Sequence, residues 1–218
     1  MKLKNKNLYI TCDGGAATGK STGAKLIAKK FKLSFLSSGL LYRYVSYLIL
    51  KKKPKNEISF IDKKFKKLNY KKLNKINLHT QEISFLTASI AKNPKIRNIL
   101  KKYQINFVKK SKGCVLEGRD SSTKILPNSD VKFFFICNLN IAAKRRYKEL
   151  KKRTNDIKLK DVKQALRTRN IADKQRSISP LQRHPLAIIV NTGKLDINSM
   201  VKKMSTHVEK IIYKKYGK

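Results

Sequence analysis

Long apolar runs, cysteine and acidic residues are all scarce in this chain of 218 residues. No stretch approaches the roughly 18 apolar residues a membrane-crossing helix needs. The densest run, Phe133-Phe134-Phe135-Ile136-Cys137, has only strand length. The basic N-terminus has neither an apolar core segment nor a small-residue cleavage site, so export is not expected and a cytoplasmic location is. The three cysteines, Cys12, Cys114 and Cys137, fall in apolar, strand-like segments without C-x-x-C or metal-ligand spacing. They read as small buried hydrophobes in a reducing compartment, which excludes a disulfide framework and a zinc site.

Only 13 acidic residues face 53 basic ones, for a formal net charge of +40. Nucleic-acid binding is the first reading of such a charge. Its make-up argues otherwise: 43 of the cations are Lys and 10 are Arg, while Ile (22) and Asn (16) are abundant and Ala (11) is scarce. Lys, Ile and Asn share A/T-rich codons, and the lysines run along the whole chain rather than clustering. The charge therefore reads as compositional drift on a solvated surface. Non-specific polyanion binding stays open; specific nucleic-acid recognition is not expected. Where Lys is the default cation, an Arg points to a need for the planar, bidentate guanidinium.

Along the chain, Leu8–Cys12, Leu33–Leu36, Gly113–Glu117, Val131–Cys137 and Leu186–Val190 read as strands. Helical patterns lie between and after them, at 20–31, 39–50, 80–92, 94–110, 141–152, 159–171 and 196–213, with Pro94 favourable at a first helical position. Residues 51–78 are Lys- and Asn-rich but carry Phe, Ile and Leu, too apolar for plain disorder. Short strands alternating with helices predict an α/β fold with a five-stranded parallel sheet flanked by helices. Ligands on such sheets bind at the carboxyl ends of the strands, so Asp13–Ser21, Gly118–Asp120 and the loop after Val190 should meet at one rim.

Gly14-Gly15-Ala16-Ala17-Thr18-Gly19-Lys20-Ser21 matches G-x-x-x-x-G-K-[ST] between a predicted strand and a predicted helix. Such a loop turns backbone N–H groups toward phosphate oxygens, and the helix N-terminus adds a positive field. In this reading Gly14 to Thr22 hold the ATP phosphates, Lys20 reaches the β- and γ-phosphates, and Ser21 binds Mg2+. A phosphate loop alone does not separate kinase, ATPase, GTPase and helicase. No Asn-Lys-x-Asp guanine signature and no strand ending in Asp-Glu occur. A small-molecule kinase must also hold an anionic acceptor, which calls for arginines on several loops. Three segments supply them: Ser37-Ser38-Gly39-Leu40-Leu41-Tyr42-Arg43, Gly118-Arg119-Asp120, and Arg169-x-x-x-Asp173-x-x-Arg176 before Ser179-Pro180-Leu181.

With these motifs together, and Ile10-x-x-Asp13-Gly14 ahead of the loop, the sequence resembles bacterial cytidylate kinases of the nucleoside monophosphate kinase group over nearly its whole length. The resemblance implies a single P-loop kinase domain over 1–218, with an acceptor-binding insert near 51–92 and a helical lid near 145–177. It implies transfer of a phosphoryl group from ATP to CMP, and to dCMP, with Mg2+. By the same resemblance Arg43, Arg119 and Arg176 grip the CMP phosphate, Arg169 and Asp173 contact the ribose, and Asp120, Arg97 and a serine read cytosine beside Ser38. Arg145, Arg146 and Arg153, around the lid, are the candidates for stabilising the transferred phosphoryl, and Asp13 for orienting a Mg2+-bound water. Two departures stand out. The family's serine sits nine residues before the equivalent of Arg97; here Ala88 holds that place and Ser89 is the nearest serine. The 51–78 segment also looks shorter and more basic than usual, so its small sheet is expected to be reduced. His79, His184 and His207 show no partner pattern. The partners expected are ATP and CMP or dCMP, with no membrane, in a monomer. Two rivals remain: a kinase with another acceptor, UMP or a non-nucleotide, and an ATP-regulated nucleic-acid-binding protein.

Overall fold

The central apolar strand segments, around Ile10 and Val115, are buried on both faces, as a parallel sheet flanked by helices requires. In the computed structural model, which describes residues 7–152 and 156–217, the strands are β1 (Tyr9–Gly14), β2 (Ser34–Ser37), β3 (Cys114–Gly118), β4 (Val131–Ile136) and β5 (Ile188–Asn191). Their order across the sheet is β2-β3-β1-β4-β5. The central strand β1 pairs in parallel with β3, Asp13 opposite Gly118, and with β4, Gly14 opposite Phe135. These registers bring the carboxyl ends of β1, β3 and β4 to one rim, as the strand-helix alternation required.

The chain divides into two compact units, Met1–Phe35 with Lys112–Lys218, and Leu36–Ser111. In the first, α1 (Lys20–Lys30) and α8 (Ile197–Tyr216) pack on the sheet. Their contact with it is a core of Ile10, Cys12, Ala24, Ile27, Phe133, Phe135, Met204 and Val208. Gly23 makes that approach close: a Cβ there would lie 2.9 Å from the Phe135 ring and 3.2 Å from Met204 Sδ. The helices α6 (Leu139–Lys151) and α7 (Leu159–Gln175) pack on each other through Ala142, Ala143, Val162 and Leu166. Ala16 of the phosphate loop joins that cluster, so the loop is held by the region expected to form the lid. Arg153 lies outside the described residues.

The second unit is helical: α2 (Ser38–Lys52), α3 (Glu57–Lys66), a 3-10 turn at Tyr70–Lys75, α4 (Gln81–Ile90) and α5 (Pro94–Lys110). Helix α3 presents Ile61 and Phe65 inward, and the Phe65 ring meets Tyr103 edge-on at 5.5 Å. Asn56, Thr80 and Asn93 cap α3, α4 and α5 with side-chain oxygens, and Pro94 opens α5 as its fixed φ favours. Residues 51–78 thus carry helix and turn, with no strand among the described residues. The unit takes in α2 and α5 as well as the 51–92 segment, because these helices pack with α3 and α4.

Alanine normally stabilises a helix interior relative to glycine by roughly 0.5–1 kcal/mol. At Gly23 the crowding against Phe135 and Met204 should reverse that sign. We expect Gly23→Ala to lower the unfolding free energy by about 1–3 kcal/mol in urea titrations; an unchanged or raised value would show that the α1–sheet contact is looser than described.

Candidate active site

The phosphate loop joins β1 to α1 through two left-handed residues, Ala17 (φ 56°) and Gly19 (φ 76°). Gly19 is the N-cap of α1, so the helix starts with its unpaired N–H groups at the loop. Gly14 is required for a different reason: its φ is 153° and a Cβ would sit 2.5 Å from the Phe135 carbonyl oxygen. Inside the loop, Thr18 Oγ1 donates to Gly15 O at 3.0 Å. Outside it, Ala16 N donates to Asn170 Oδ1 at 2.9 Å, and Thr18 O accepts from Thr192 Oγ1 at 2.9 Å.

Lys20 is 6% exposed; its ammonium donates to Gly15 O at 3.1 Å and stands 3.4 Å from Glu117 Oε1. Burial, and next the positive charge of Arg119, lower its pKa to about 8, against the pull of Glu117. The site therefore holds a lysine whose charge lacks full compensation, which an anionic ligand would supply. Ser21 and Thr22 are exposed on the first turn of α1.

Asp13 is fully buried, and burial pushes its carboxyl pKa up. Its oxygens accept from Ser121 N at 2.9 Å and from Ser122 N and Oγ at 2.7 and 2.6 Å. With no exposed surface and three donors bound, Asp13 clamps the turn after β3. That turn is a short π-helical segment, Ser121–Ile125, and the clamp sets the position of the preceding Arg119 and Asp120.

Arg119, Asp173 and Arg176 form one cluster. Arg119 Nε donates to Asp173 Oδ2 at 2.7 Å, and Arg176 Nη1 reaches Asp173 Oδ1 at 3.3 Å. Arg176 Nε also donates to Ser179 O at 2.6 Å. Burial alone would raise the pKa of Asp173; the charges of Arg119, Arg169 and Arg176 outweigh it and hold the carboxyl below its ordinary range. Asp120 is buried beside Arg119 in sequence.

The remaining acceptor candidates lie in the helical unit. Arg43 is buried and donates to Leu78 O at 3.0 Å and Ser84 Oγ at 2.8 Å. Ser38 donates to Gln104 Oε1. Arg97 donates to Ala91 O at 3.1 Å and lies over the Tyr42 ring at 5.6 Å. Ser89 and Ala88 are both exposed on α4, one turn after Phe85, which is 84% exposed. Of the two described lid arginines, Arg146 pairs with Glu149 at 3.0 Å, and Arg145 binds Thr192 O at 2.7 Å and Thr192 Oγ1 at 3.1 Å. Through the Thr192 hydroxyl, Arg145 is linked to Thr18 O of the phosphate loop. Asn170, Thr192 and Glu117 were not singled out by the sequence; only the position of Glu117 at a strand end and of Thr192 in a rim loop hinted at them.

Residues 10–210 match the family described as Cytidylate kinase. The chain belongs to the cytidylate kinase family. It is 35% identical over 219 residues to the cytidylate kinase of Rickettsia canadensis, covering 97% of this chain and 99% of that one. Against the cytidylate kinase of Bartonella tribocorum it is 35% identical over 212 residues, covering 95% and 97%. In fold it resembles the shikimate kinase of Acinetobacter baumannii, solved with shikimate, at a TM-score of 0.50 over 97% of both chains. At 12% identity that likeness concerns the fold alone, a P-loop kinase architecture. Among the described residues, no helix is long and apolar enough to cross a membrane.

Asp173 gives the family's Arg-x-x-x-Asp-x-x-Arg run a measurable signature. A depressed folded-state pKa means its stabilisation is complete above the ordinary value of about 4 and is lost as pH falls through the folded pKa. The stability difference between the parent protein and Asp173→Asn should therefore be flat from pH 8 to 6 and shrink as pH drops below about 4. A difference that instead grew on acidification, in urea unfolding at each pH, would refute the arginine-held carboxylate.

Proposed function

We propose that this member of the cytidylate kinase family transfers the γ-phosphoryl group of ATP to CMP, and to dCMP, forming ADP and CDP or dCDP. The observation that carries the reading is the Arg119–Asp173–Arg176 cluster. It joins Gly118-Arg119-Asp120 to the arginine run on α7, two motifs that the sequence shares with the family.

Phosphoryl transfer asks little covalent chemistry of a protein; position and charge neutralisation supply most of the rate. Loop N–H groups from Gly15 to Thr22 hold the ATP phosphates at the start of α1. Lys20 exchanges its contacts with Gly15 O and Glu117 for phosphate oxygens. Arg43, Arg119 and Arg176 hold the acceptor phosphate, and Arg169 and Asp173 meet the ribose. Arg145, Arg146 and Arg153 are kept as candidates for the transferred phosphoryl.

Among the described residues no group of three or more His, Cys, Asp or Glu side chains could cage a metal. That fits Mg2+, which is commonly held by one or two protein groups together with substrate phosphates and water. Ser21, exposed at the loop, and Glu117, the carboxylate beside Lys20, are the side chains that would hold it. When bound, Mg2+ neutralises charge on the β- and γ-phosphates. The protein is proposed to act as a cytoplasmic monomer and to need no nucleic acid, in keeping with its dispersed lysines.

Base choice tests the proposal. Cytosine offers an amino donor at N4 where uracil offers an acceptor oxygen, and the Asp120 carboxylate can only accept. A mispaired buried group costs about 1–3 kcal/mol, roughly 5- to 150-fold. Coupled-assay rates should show CMP preferred over UMP by a factor in that range. In Asp120→Asn the ratio should fall, mainly through lost CMP turnover. No CDP formation by the parent protein would sink the reading; an unchanged ratio in the mutant would remove Asp120 from base recognition.

A further inference from the structure

Between Ala17 and Gly19 the chain makes two left-handed steps around the single residue Thr18. For the Gly19 N–H to point into the loop, the carbonyl of Thr18 must point out of it, since both belong to one peptide plane. Glycine tolerates either orientation of that plane at little cost. Glycine at 19 therefore does not by itself fix the Thr18–Gly19 peptide, and a flipped plane would aim a carbonyl oxygen, not an N–H, at a phosphate.

The outward carbonyl is met by one donor from a different part of the fold. Thr192, 3% exposed in the loop after β5, donates its hydroxyl proton to Thr18 O at 2.9 Å. A hydroxyl can rotate, but here its oxygen accepts from Arg145 Nη1 at 3.1 Å, a group that can only donate. The proton is thereby turned toward Thr18. The backbone of Thr192 is fixed on both sides: its N–H donates to Ile136 O at 3.0 Å and its carbonyl accepts from Arg145 Nη2 at 2.7 Å. The contact is also close enough that a Cβ on Gly19 would lie 3.5 Å from Thr192 Cγ2.

We propose that Thr192 is a positioning residue for the nucleotide phosphates. Its hydroxyl, oriented by Arg145, holds the Thr18–Gly19 peptide with the N–H facing the bound phosphate. Thr192 touches no phosphate itself. Arg145 contributes through Thr192, a role that needs no contact with the transferred phosphoryl. The inference rests on the reading of the loop as an ATP phosphate site, but not on the identity of the acceptor.

The test measures ADP and ATP binding to the full-length protein by titration calorimetry, alongside CMP binding without ATP. Thr192→Val keeps the shape and removes the hydroxyl; it should weaken ATP and ADP binding about 3- to 30-fold and leave CMP binding within about twofold. Thr192→Ser keeps the hydroxyl and should restore nucleotide affinity to within about threefold of the parent. Should the valine variant fail to fold, as judged by its melting curve, Thr192→Ala replaces it with the same expectations. A double-mutant cycle with Arg145→Met adds the coupling: the loss caused by Arg145→Met should largely vanish in the Thr192→Val background. Parent-like nucleotide affinity in the valine or alanine variant overturns the proposal, as does a serine variant as weak as valine. Fully additive effects overturn the part played by Arg145. A parent protein that binds no ATP or ADP would overturn the reading of the loop and this inference together, whereas one that binds ATP without phosphorylating CMP would overturn the acceptor assignment alone.

Discussion

The buried ammonium of Lys20 is the constraint around which the sheet rim is arranged. A charge at 6% exposure is costly unless compensated; Gly15 O and the Glu117 carboxylate meet it, with Arg119 nearby opposing it. The loop that buries Lys20 cannot be soft. It is tied at Ala16 to Asn170 on α7 and at Thr18 to Thr192 after β5, and Ala16 packs among the residues joining α6 and α7. A site so held is preorganised for an anion and leaves little reorganisation for the moment of reaction.

The second fixed point is Asp13. One strand position before the loop, it is buried and takes three donors from Ser121 and Ser122. The two strand ends, β1 and β3, are thereby locked to each other, so Arg119 and Asp120 are set relative to the phosphate loop by a buried carboxylate. Arg119 in turn meets Arg176 through Asp173. Two guanidiniums sharing one carboxylate remain net positive, which suits a group that must receive a phosphate. Against a surface carrying dozens of lysines, this compact use of arginine is what separates a site from a charged background.

Much of this was legible in the sequence. The central strands were readable because parallel strands buried on both faces are continuous apolar runs, as in Cys114 to Leu116, and the edge strands from shorter apolar runs between helical patterns. The phosphate loop was readable from glycine and lysine spacing, and the arginine set from its placement after strands. Unit boundaries were not, because composition changes at 51 while packing changes at 36, where α2 begins to share a core with α3 to α5. Asn170, Thr192 and Glu117 escaped notice for a different reason. Each acts through polar contacts made across a long sequence separation, and a single polar residue carries no periodicity. The clamp made by Asp13 was not legible either, because its three donors on Ser121 and Ser122 lie more than a hundred residues away.

The most direct test of this account is the titration of Lys20 itself. With lysine side chains isotopically labelled, and Lys20→Arg used to assign the signal, nuclear magnetic resonance can follow its ammonium as pH is raised, with and without ADP. The account predicts a pKa near 8 in the free protein, depressed by burial and by Arg119, and a rise when nucleotide phosphates supply the missing negative charge. An ordinary lysine value in the free protein, unmoved by ADP, would contradict it.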